Sequence, residues 1–497
     1  MNIRQLWQER GAQLVVAALL IVLSVVGWTM MGQKPFVRTL LSGLTLGSLL
    51  FMVASGLTLI FGLMDVLNFA HGTMFMVGAY AGWQFYTNPT FLFGLAPLVF
   101  ALTAGLALTP VLRKLSMDWS IPEQGQRALQ GVLIVASIAI GLVGVLGLDI
   151  KGLAETAMVP AMVAADPLKE ATPQEPLAVF WYRPTLMLTG ALLLALAQAR
   201  PGDRTQVVHR EEVNRALALA VVLLTLTIVA TLVREPGPIA LLKLNANWRF
   251  LLSLLVGALI GGGLGAIVEM GLIRPLYERP LFQVLVTLGL AFVLTELIQV
   301  LWDPLPYQMS RPPLFSQPGK ADSILAWFSE NTTTVDVLGV TFPSYRLFII
   351  VLGGVMLAGL HLLMKYSRLG MIIRAGVQDR EMVEALGINV ERVFTLVFVL
   401  GAGLAALGGI GAAPFIPVEP VMGDRFLMQG FITVVIGGMG SYSGAAVGAL
   451  LLGLSRAFGD YLALKFNLTP AISEASTVIV MAIVLLVRPA GLFGRKE

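Results

Sequence analysis

The part of this sequence best suited to ionic interactions runs from Lys365 to Val393. It is short and polar, and apolar runs long enough to cross a bilayer flank it on both sides. Charges of both signs can fix the register of a contact with a complementary surface, which makes this stretch a candidate binding segment. It carries five cations, Lys365, Arg368, Arg374, Arg380 and Arg392, and four carboxylates, Asp379, Glu381, Glu384 and Glu391.

The centre of this stretch predicts a short amphipathic helix between Val377 and Leu386. Gly387 follows as the predicted helix stop, because glycine readily adopts the left-handed conformation that ends many helices. Such a helix between two membrane spans can lie at the interface and offer one face to a soluble partner. The alternative interpretation is a solvated linker. The apolar residues interleaved with the charges are Val377, Met382, Val383, Ala385 and Leu386.

A second polar group lies in the turn from Phe61 to Phe75. Asp65, Asn68 and His71 lie close together there, and Gly72 follows. Polar groups are costly to bury in a membrane, so they usually face a cavity or pair with one another. On that interpretation, this turn borders a polar path across the membrane. The alternative is that Asp65 and Asn68 cap helix ends while His71 is hydrogen-bonded nearby.

A third feature is a glycine-rich break within Val434–Gly453. Broken helices expose main-chain groups only where they line a cavity or pack against protein, so the break is a second candidate border of the path. The alternative is close helix packing, since Gly444 and Gly448 form a G-x-x-x-G pattern. The candidate residues of the break are Gly437, Gly438, Gly440 and Ser441.

Covalent and metal chemistry find little support in the residue types. The chain has no cysteine, which excludes disulfides, thiolate catalysis and cysteine-bound metal. Its three histidines, His71, His209 and His361, are too far apart in sequence to show metal-ligand spacing. Neither a phosphate-binding G-x-x-x-x-G-K-[ST] loop nor an H-E-x-x-H motif occurs. A process driven by ATP would therefore need another chain to bind the nucleotide.

Composition indicates a membrane protein. Hydrophobic residues make up 57% of the 497 residues and charged residues 12%, with a mean hydropathy of +0.83. Soluble chains usually carry about 25% charged residues, so most of this chain is expected to lie in lipid. The net charge of +4 does not indicate nucleic-acid binding, because the cations lie in short loops between apolar runs. We expect an all-α integral membrane protein, a polytopic helix bundle with broken helices.

The cations also predict the orientation of the chain. Cytoplasmic loops of membrane proteins are enriched in Lys and Arg. With a cytoplasmic N-terminus, the greater share of the 33 Lys and Arg residues falls on the cytoplasmic side, together with Lys365–Val393 and the C-terminus. About fourteen apolar runs are predicted, at 12–31, 39–62, 72–86, 91–112, 129–148, 185–199, 216–233, 250–273, 281–302, 347–364, 393–412, 426–438, 443–454 and 473–487.

Four blocks of the sequence, in order, resemble the branched-chain amino acid permeases of bacterial ABC transporters. Gly43–Tyr80 resembles the first block of that family, and Arg368–Ile410 resembles its cytoplasmic coupling segment with the following helix. Phe431–Gly453 and Arg488–Arg495 resemble its C-terminal blocks. The combination is most similar to the shorter of the two paired permeases of such systems.

The chain departs from this family pattern in two places. Residues 1–38 resemble an added N-terminal helix, and residues 90–247 resemble an insertion with four apolar runs. Four crossings return the chain to the side that it left, so the insertion preserves the topology of the core. The permease core then comprises residues 39–89 and 248–497, with the coupling segment at 365–392.

The resemblance implies an ATP-driven importer in the bacterial inner membrane that moves branched-chain or other small amino acids. It implies three kinds of partner: a periplasmic binding protein, a second permease chain, homologous or identical, and two ATPase subunits that bind ATP and Mg²⁺. This chain would bind no cofactor and would not be an enzyme. The positions carried over as the ATPase-coupling site are Arg374, Gln378, Asp379, Arg380, Glu381, Glu384, Ala385 and Gly387.

Three other functions stay open at this point. A permease of the same fold could carry urea or short amides. An ion-coupled secondary transporter would need membrane-embedded carboxylates, for which Asp65, Glu269 and Glu296 are candidates that do not cluster in sequence. A membrane-embedded enzyme ranks last, because no nucleophile–base pair or metal constellation is recognisable.

Overall fold

The computed structural model describes residues 21, 25, 27–64, 67–119, 122–155, 176–201, 209–378, 380–469 and 471–494. The side chains of residues 123, 124, 377, 378, 380 and 381 lie outside this description, as do all atoms of Asp65 and Asp379. The described chain is mostly helical. Ten of its helices are long and apolar enough to cross a membrane. This confirms the predicted all-α, multi-pass membrane bundle.

The chain divides into two compact units, and the helices are numbered in chain order through both. The first unit comprises Met1–Trp83 and Ala246–Glu497. Its helices are α1 (Gln33–Met64), α2 (His71–Thr87, whose last turn enters the second unit), α11 (Ala246–Val268), α12 (Pro280–Trp302), α13 (Ile324–Glu330), α14 (Ser344–Tyr366), α15 (Arg368–Gln378), α16 (Arg380–Ala385), α17 (Val390–Ala412), α18 (Met422–Gly437), α19 (Tyr442–Lys465) and α20 (Ala471–Val487).

The second unit, Gln84–Asn245, is a separate helical bundle. Arg183 is buried and donates from Nη1 to the carbonyls of Gly144 (3.1 Å) and Leu146 (2.9 Å), so it satisfies carbonyls at the end of one helix. The buried Arg234 guanidinium lies 3.7 Å from the ring centroid of Phe180. Its helices are α3 (Thr90–Ala107), α4 (Thr109–Ser116), α5 (Glu123–Val145), α6 (Ile150–Glu155), α7 (Leu177–Phe180), α8 (Tyr182–Ala199), α9 (Arg210–Val233) and α10 (Pro236–Lys243).

Helix α1 lies at the centre of the first unit and packs against α14, α17, α18 and α19. Small residues on α1 allow this close packing. A Cβ atom at Gly43 would lie 2.9 Å from the Leu454 Cα, and one at Gly47 would lie 2.9 Å from the Ala449 carbonyl oxygen. Lipid gives little hydrophobic driving force between helices, so such backbone approaches carry the association.

Among the described residues, the ten helices long and apolar enough to span a membrane are fewer than the fourteen predicted apolar runs. The run at 12–31 lies mostly outside the described residues. The runs at 72–86, 426–438 and 473–487 form the shorter helices α2, α18 and α20, of 17, 16 and 17 residues.

The predicted apolar run at 443–454 covers only the first half of α19, which extends over 24 residues to Lys465. The apolar run ends because polar residues follow, but the helix continues because these residues find partners. Ser455 and Ser476 each donate to the other's main-chain carbonyl at 3.1 Å, which joins α19 to α20. Sequence hydropathy registers the polar side chains but cannot register the bonds that satisfy them.

The loop between α12 and α14 contains a small sheet that the sequence analysis did not predict. Strands β1 (Gln317–Ala321) and β2 (Thr332–Val337) are parallel, and β3 (Val340–Pro343) is antiparallel to β2. Lys320 on β1 pairs with Asp336 on β2 at 2.7 Å. The loop is therefore an ordered element.

Candidate functional site

The predicted coupling segment folds as two short helices that follow directly after α14. α15 covers Arg368–Gln378 and α16 covers Arg380–Ala385. Gly387 has a φ of +80°, its N–H donates to the Glu384 carbonyl at 2.9 Å, and the Ile388 N–H donates to the Val383 carbonyl at 3.4 Å. These two bonds form a Schellman motif, which confirms Gly387 as the helix stop.

Among the described side chains of α16, the buried Val383 fixes the helix to the bundle. Val383 is 1% exposed and clusters with Val390 and Phe394 of α17, against Leu63 of α1 and Tyr277. This anchor ties the coupling segment to the cytoplasmic ends predicted for two spanning helices.

The opposite side of α16 faces outward. Met382 and Leu386 are 50% and 72% exposed, and Glu384 and Ala385 are exposed as well. The side chains of Gln378, Asp379, Arg380 and Glu381 fall outside the described residues. A short helix with one anchored face and one exposed face has the geometry of a docking element.

A cavity of about 600 Å³ joins the coupling segment to the glycine-rich break. Arg374 of α15 lines it together with Gly440 and Ser441, so the structure brings members of two predicted groups to one site. Thr58 of α1 also lines the cavity, and its buried hydroxyl has no hydrogen-bond partner among the described residues. The rest of the lining is largely apolar: Leu59, Phe61, Leu63, Met364, Ile373, Met439 and Phe493 among others.

The glycine-rich break combines cavity lining with close packing. Gly438 and Gly440 have φ values of +97° and +80°, which glycine adopts without strain. Gly440 is exposed, whereas Gly437 and Gly438 are buried. Ser441 caps α19, since its Oγ accepts from the Gly444 N–H at 3.1 Å. Both interpretations of this turn therefore describe part of it.

The C-terminal segment satisfies the end of α18 at this break. The Leu492 and Phe493 N–H groups donate to the carbonyls of Ile436 and Gly437 at 2.8 and 2.9 Å. Two of the blocks that carry the family resemblance, 431–453 and 488–495, thus meet in space. Sequence reasoning gave no signal for this pairing, because the bonded residues Ile436 and Leu492 lie 56 positions apart and no charge or periodicity links the two segments.

The first polar turn is buried in helix packing. Asn68 is 2% exposed and accepts from the Ala70 N–H at 3.0 Å, as a capping residue does. The His71 Nε2 lies 3.1 Å from the Val53 carbonyl oxygen, and a Cβ at Gly72 would collide with the Gly423 carbonyl. The Asn68 Nδ2 and His71 Nδ1 have no partner among the described atoms, although both are buried.

Phe61, Gly62 and Leu63 at the start of this turn line the 600 Å³ cavity, but its described lining includes none of Asn68, His71 and Gly72. Asp65 lies outside the described residues. The assignment of this turn to the path stays a prediction.

The carboxylates considered for ion coupling lie in different environments. Glu269 is fully buried and forms an ion pair with Arg274 at 3.0 Å, whereas Glu296 is exposed. No group of three or more metal-ligating His, Cys, Asp or Glu side chains occurs among the described residues. Sequence analysis named Glu269 as a candidate membrane-embedded carboxylate. It did not identify Arg274, five positions later, as the partner of that carboxylate.

Comparison with known proteins matches most of the chain to one family. The family model described as "Branched-chain amino acid transport system / permease component" matches residues 39–117 and 186–488. The part that it skips, 118–185, lies within the predicted insertion at 90–247, and the contact-defined second unit spans 84–245. The assignment of this segment as an insertion stays a prediction.

Individual relatives match shorter stretches. The high-affinity branched-chain amino acid transport system permease protein LivH of Escherichia coli (strain K12) is 37% identical over 140 residues, covering 28% of this chain and 44% of LivH. BraD of Pseudomonas aeruginosa, named as a permease of the same kind, is 35% identical over 161 residues, covering 32% and 50%. The ribose import permease protein RbsC of Escherichia coli (strain K12) is 27% identical over 296 residues, covering 56% and 82%.

The chain thus aligns with less than half the length of LivH and with half the length of BraD. No solved structure matches the chain.

Proposed function

We propose a function from one premise: this chain belongs to the family of branched-chain amino acid transport system permease components. The chain is the membrane-spanning permease subunit of an ATP-driven importer. It translocates branched-chain or other small amino acids that a periplasmic binding protein delivers. A second permease chain, homologous or identical, completes the channel in the bacterial inner membrane.

The proposed partners on the cytoplasmic side are two ATPase subunits. ATP and Mg²⁺ bind to those subunits, and this chain binds no cofactor and catalyses no reaction. Both termini of the chain lie in the cytoplasm in this proposal, on the side of the coupling segment.

The observation that carries the proposal is the geometry of α16. Val383 holds this helix against α17 and Tyr277, while Met382, Glu384 and Leu386 are exposed on the helix. A displacement of α16 by a bound partner would therefore press directly on the start of a spanning helix. Alternating access requires such a link, because the spans must change packing in response to the ATPase.

The cavity beside Arg374 supports the same proposal. It extends from the coupling segment to the break at Gly440 and Ser441. A movement of α15 would therefore change the shape of the cavity. Thr58, whose hydroxyl has no hydrogen-bond partner among the described residues, supplies a polar group together with Arg374 and Ser441 in a lining of mainly apolar side chains, which suits a small amphiphilic solute.

Ion coupling has less support than ATP coupling. Glu269 would be the best-buried carboxylate for binding a proton or cation, but its oxygens are already occupied by protein donors. No observation favours urea or short amides as the substrate. Ribose is included in the test because RbsC is matched over 82% of its length.

The test begins with purification of the complex from the native membrane in mild detergent, followed by reconstitution and uptake measurements. We expect a phosphate-loop ATPase and a second permease to co-purify, and leucine uptake to exceed ribose and urea uptake. A chain that elutes alone and drives uptake from an ion gradient would overturn the proposal.

A charge reversal tests the coupling segment within this complex. The double variant Glu381→Lys/Glu384→Lys should lose co-purification of the ATPase and ATP-driven uptake, while membrane insertion stays normal. Glu211→Lys/Glu212→Lys, the same double charge reversal at two exposed residues in the first turn of α9, is the matched control and should behave as wild type. Undiminished ATPase binding in the double variant would exclude this segment as the docking site.

A further inference from the structure

An ion pair with a buried carboxylate joins the end of α11 to α17, beside the side-chain cluster that anchors the coupling segment. We propose that Glu269, Arg274 and Thr395 form a clamp that makes α11, α17 and the anchored coupling helix α16 move as one body. Glu269 is then a positioning residue for transport. This inference rests on the function proposed above and assigns a role to residues that the coupling segment itself does not contain.

The Glu269 carboxylate is fully enclosed by donors from two parts of the chain. Arg274 donates from Nε to Oε1 at 3.1 Å and from Nη2 to Oε2 at 3.0 Å, which is the two-point geometry of strong arginine–carboxylate pairs. The Tyr277 hydroxyl also donates to Oε1. Glu269 is 0% exposed, so this charge depends on its partners.

The backbone conformation between Glu269 and Arg274 brings their side chains together. The segment Glu269–Ile273 is a π-helical turn, and a 3-10 turn over Arg274–Leu276 follows. In a π turn the main-chain bond runs from residue i+5 to residue i, and the Arg274 N–H donates to the Glu269 carbonyl in this way. Residues five apart therefore face the same side, as they would not in an α-helix.

The clamp extends across to the first turns of α17. The Thr395 hydroxyl donates to Glu269 Oε2 at 2.6 Å, and Arg274 Nη2 lies 2.6 Å from the same hydroxyl. Arg274 Nη1 also reaches Glu391 Oε2 at 3.3 Å. The cytoplasmic end of α11 is thus tied to α17 by charged and polar contacts.

The same cluster reaches the coupling helix through aromatic packing. The ring of Tyr277 packs edge-on against Phe394, with centroids 5.3 Å apart and an interplanar angle of 86°. Phe394 and Tyr277 in turn contact the cluster that anchors Val383 of α16. A continuous set of packed side chains therefore runs from α16 to the Glu269 carboxylate.

Above the clamp, α11 and α17 are packed too closely to slide freely. A Cβ at Gly265 would lie 2.9 Å from the Phe398 carbonyl oxygen, and one at Gly262 would lie 3.1 Å from the Val399 carbonyl oxygen. Backbones in such contact act as a rigid pair. The clamp joins α11 and α17 at the end that lies near the docked ATPase. A displacement of α16 therefore moves both spanning helices together.

The first experiment measures transport in the reconstituted complex. Glu269→Gln should keep ATPase co-purification and basal ATP hydrolysis. Its uptake and the stimulation of hydrolysis by loaded binding protein should fall by about 5- to 150-fold, the range of typical coupling between sites. Thr395→Val removes only the bridging hydroxyl and should give a smaller loss. The control is Glu211→Gln, which breaks an exposed pair with Arg215 of the same 3.0 Å length and should transport normally.

The second measurement keeps the test valid even where Glu269→Gln is poorly folded. The chain has no cysteine, so spin labels can be placed at single cysteines introduced at Leu396 of α17 and Ile267 of α11, both exposed and both outside the docking face of α16. In the wild-type background the distance between the labels should be the same without nucleotide and with ATP and vanadate. In the Thr395→Val background it should change between these states.

The outcomes separate the two proposals. A wild-type complex that lacks an ATPase refutes the proposed function itself. A wild-type complex that transports, with full stimulation in Glu269→Gln, refutes the clamp alone. A label distance that changes with nucleotide in the wild type also refutes the clamp, and so does one that stays constant in both backgrounds.

Discussion

The crossing of α18 and α19 gives the sharpest prediction for stability. Gly448 of α19 faces the backbone of α18, and a Cβ there would lie 2.6 Å from the Thr433 carbonyl oxygen and 3.1 Å from the Gly437 nitrogen. Ordinary contact begins at 3.4 Å, so Gly448→Ala requires the carbonyl to move away by 0.8 Å. Both obstacles are main-chain atoms, so the helices must separate.

The magnitude follows from two opposing effects. Overpacking of a close crossing costs about 1–3 kcal/mol. Replacing Gly by Ala inside a helix favours folding by about 1 kcal/mol through backbone entropy. The second effect is shared by any Gly→Ala change in a helix interior, so a matched control isolates the first.

Gly354 of α14 provides that control, because a Cβ atom added there would meet no neighbouring side chain or helix within 4 Å. We expect Gly354→Ala to be neutral or slightly stabilising, and Gly448→Ala to be less stable than Gly354→Ala by about 1–3 kcal/mol. Thermal unfolding in one detergent, followed by tryptophan fluorescence, compares the two variants. Equal unfolding temperatures would refute the close crossing.

Two further predictions concern the cavity and the ordered loop. Ser441→Cys should react with a small water-soluble thiol reagent because residue 441 lines the cavity, whereas Thr433→Cys, at a 0% exposed position, should stay protected; labelling of both would contradict the packing. The ion pair with Lys320 and a hydrogen bond from the Gly339 N–H hold the pKa of Asp336 below its usual range. The ionised Asp336 therefore stabilises the sheet fully at any pH above the pKa of the unfolded chain. This stabilisation is lost as the pH falls through the lowered pKa of the folded protein. The protection factors of the amides in β2 and β3, which are corrected for the intrinsic pH dependence of exchange, should fall over that acidic range in the wild type but not in Asp336→Asn, and equal profiles would refute the role of the pair.

Local features of the coupling segment could be predicted from the sequence because they depend on neighbouring residues. Gly387 ends α16 because it adopts a positive φ, and this conformation depends only on the glycine itself and on the preceding helical turn. The amphipathic pattern gave five interleaved apolar residues, but only the packing shows that Val383 is buried whereas Met382, Ala385 and Leu386 are exposed. The extent of α19 was missed because hydropathy does not register the bonds between Ser455 and Ser476.

The sequence by itself determined the class of this protein and its family. A charged fraction of 12% and long apolar runs leave lipid as the solvent for most of the chain, and lipid permits mainly helices. The four ordered blocks then indicated the permease family, which the family match to residues 39–117 and 186–488 supports.

Only the tertiary structure decided which of the polar residues work together. Thr395 lies 126 residues after Glu269 and donates a hydrogen bond to its carboxylate. Arg374 and Ser441 line the same cavity, although they belong to two different predicted groups. The physical reason is that periodicity fixes which face of a helix is buried but leaves open which helix it faces. That choice depends on where small residues such as Gly265 allow two backbones to meet, and it is settled only when all the helices pack at once.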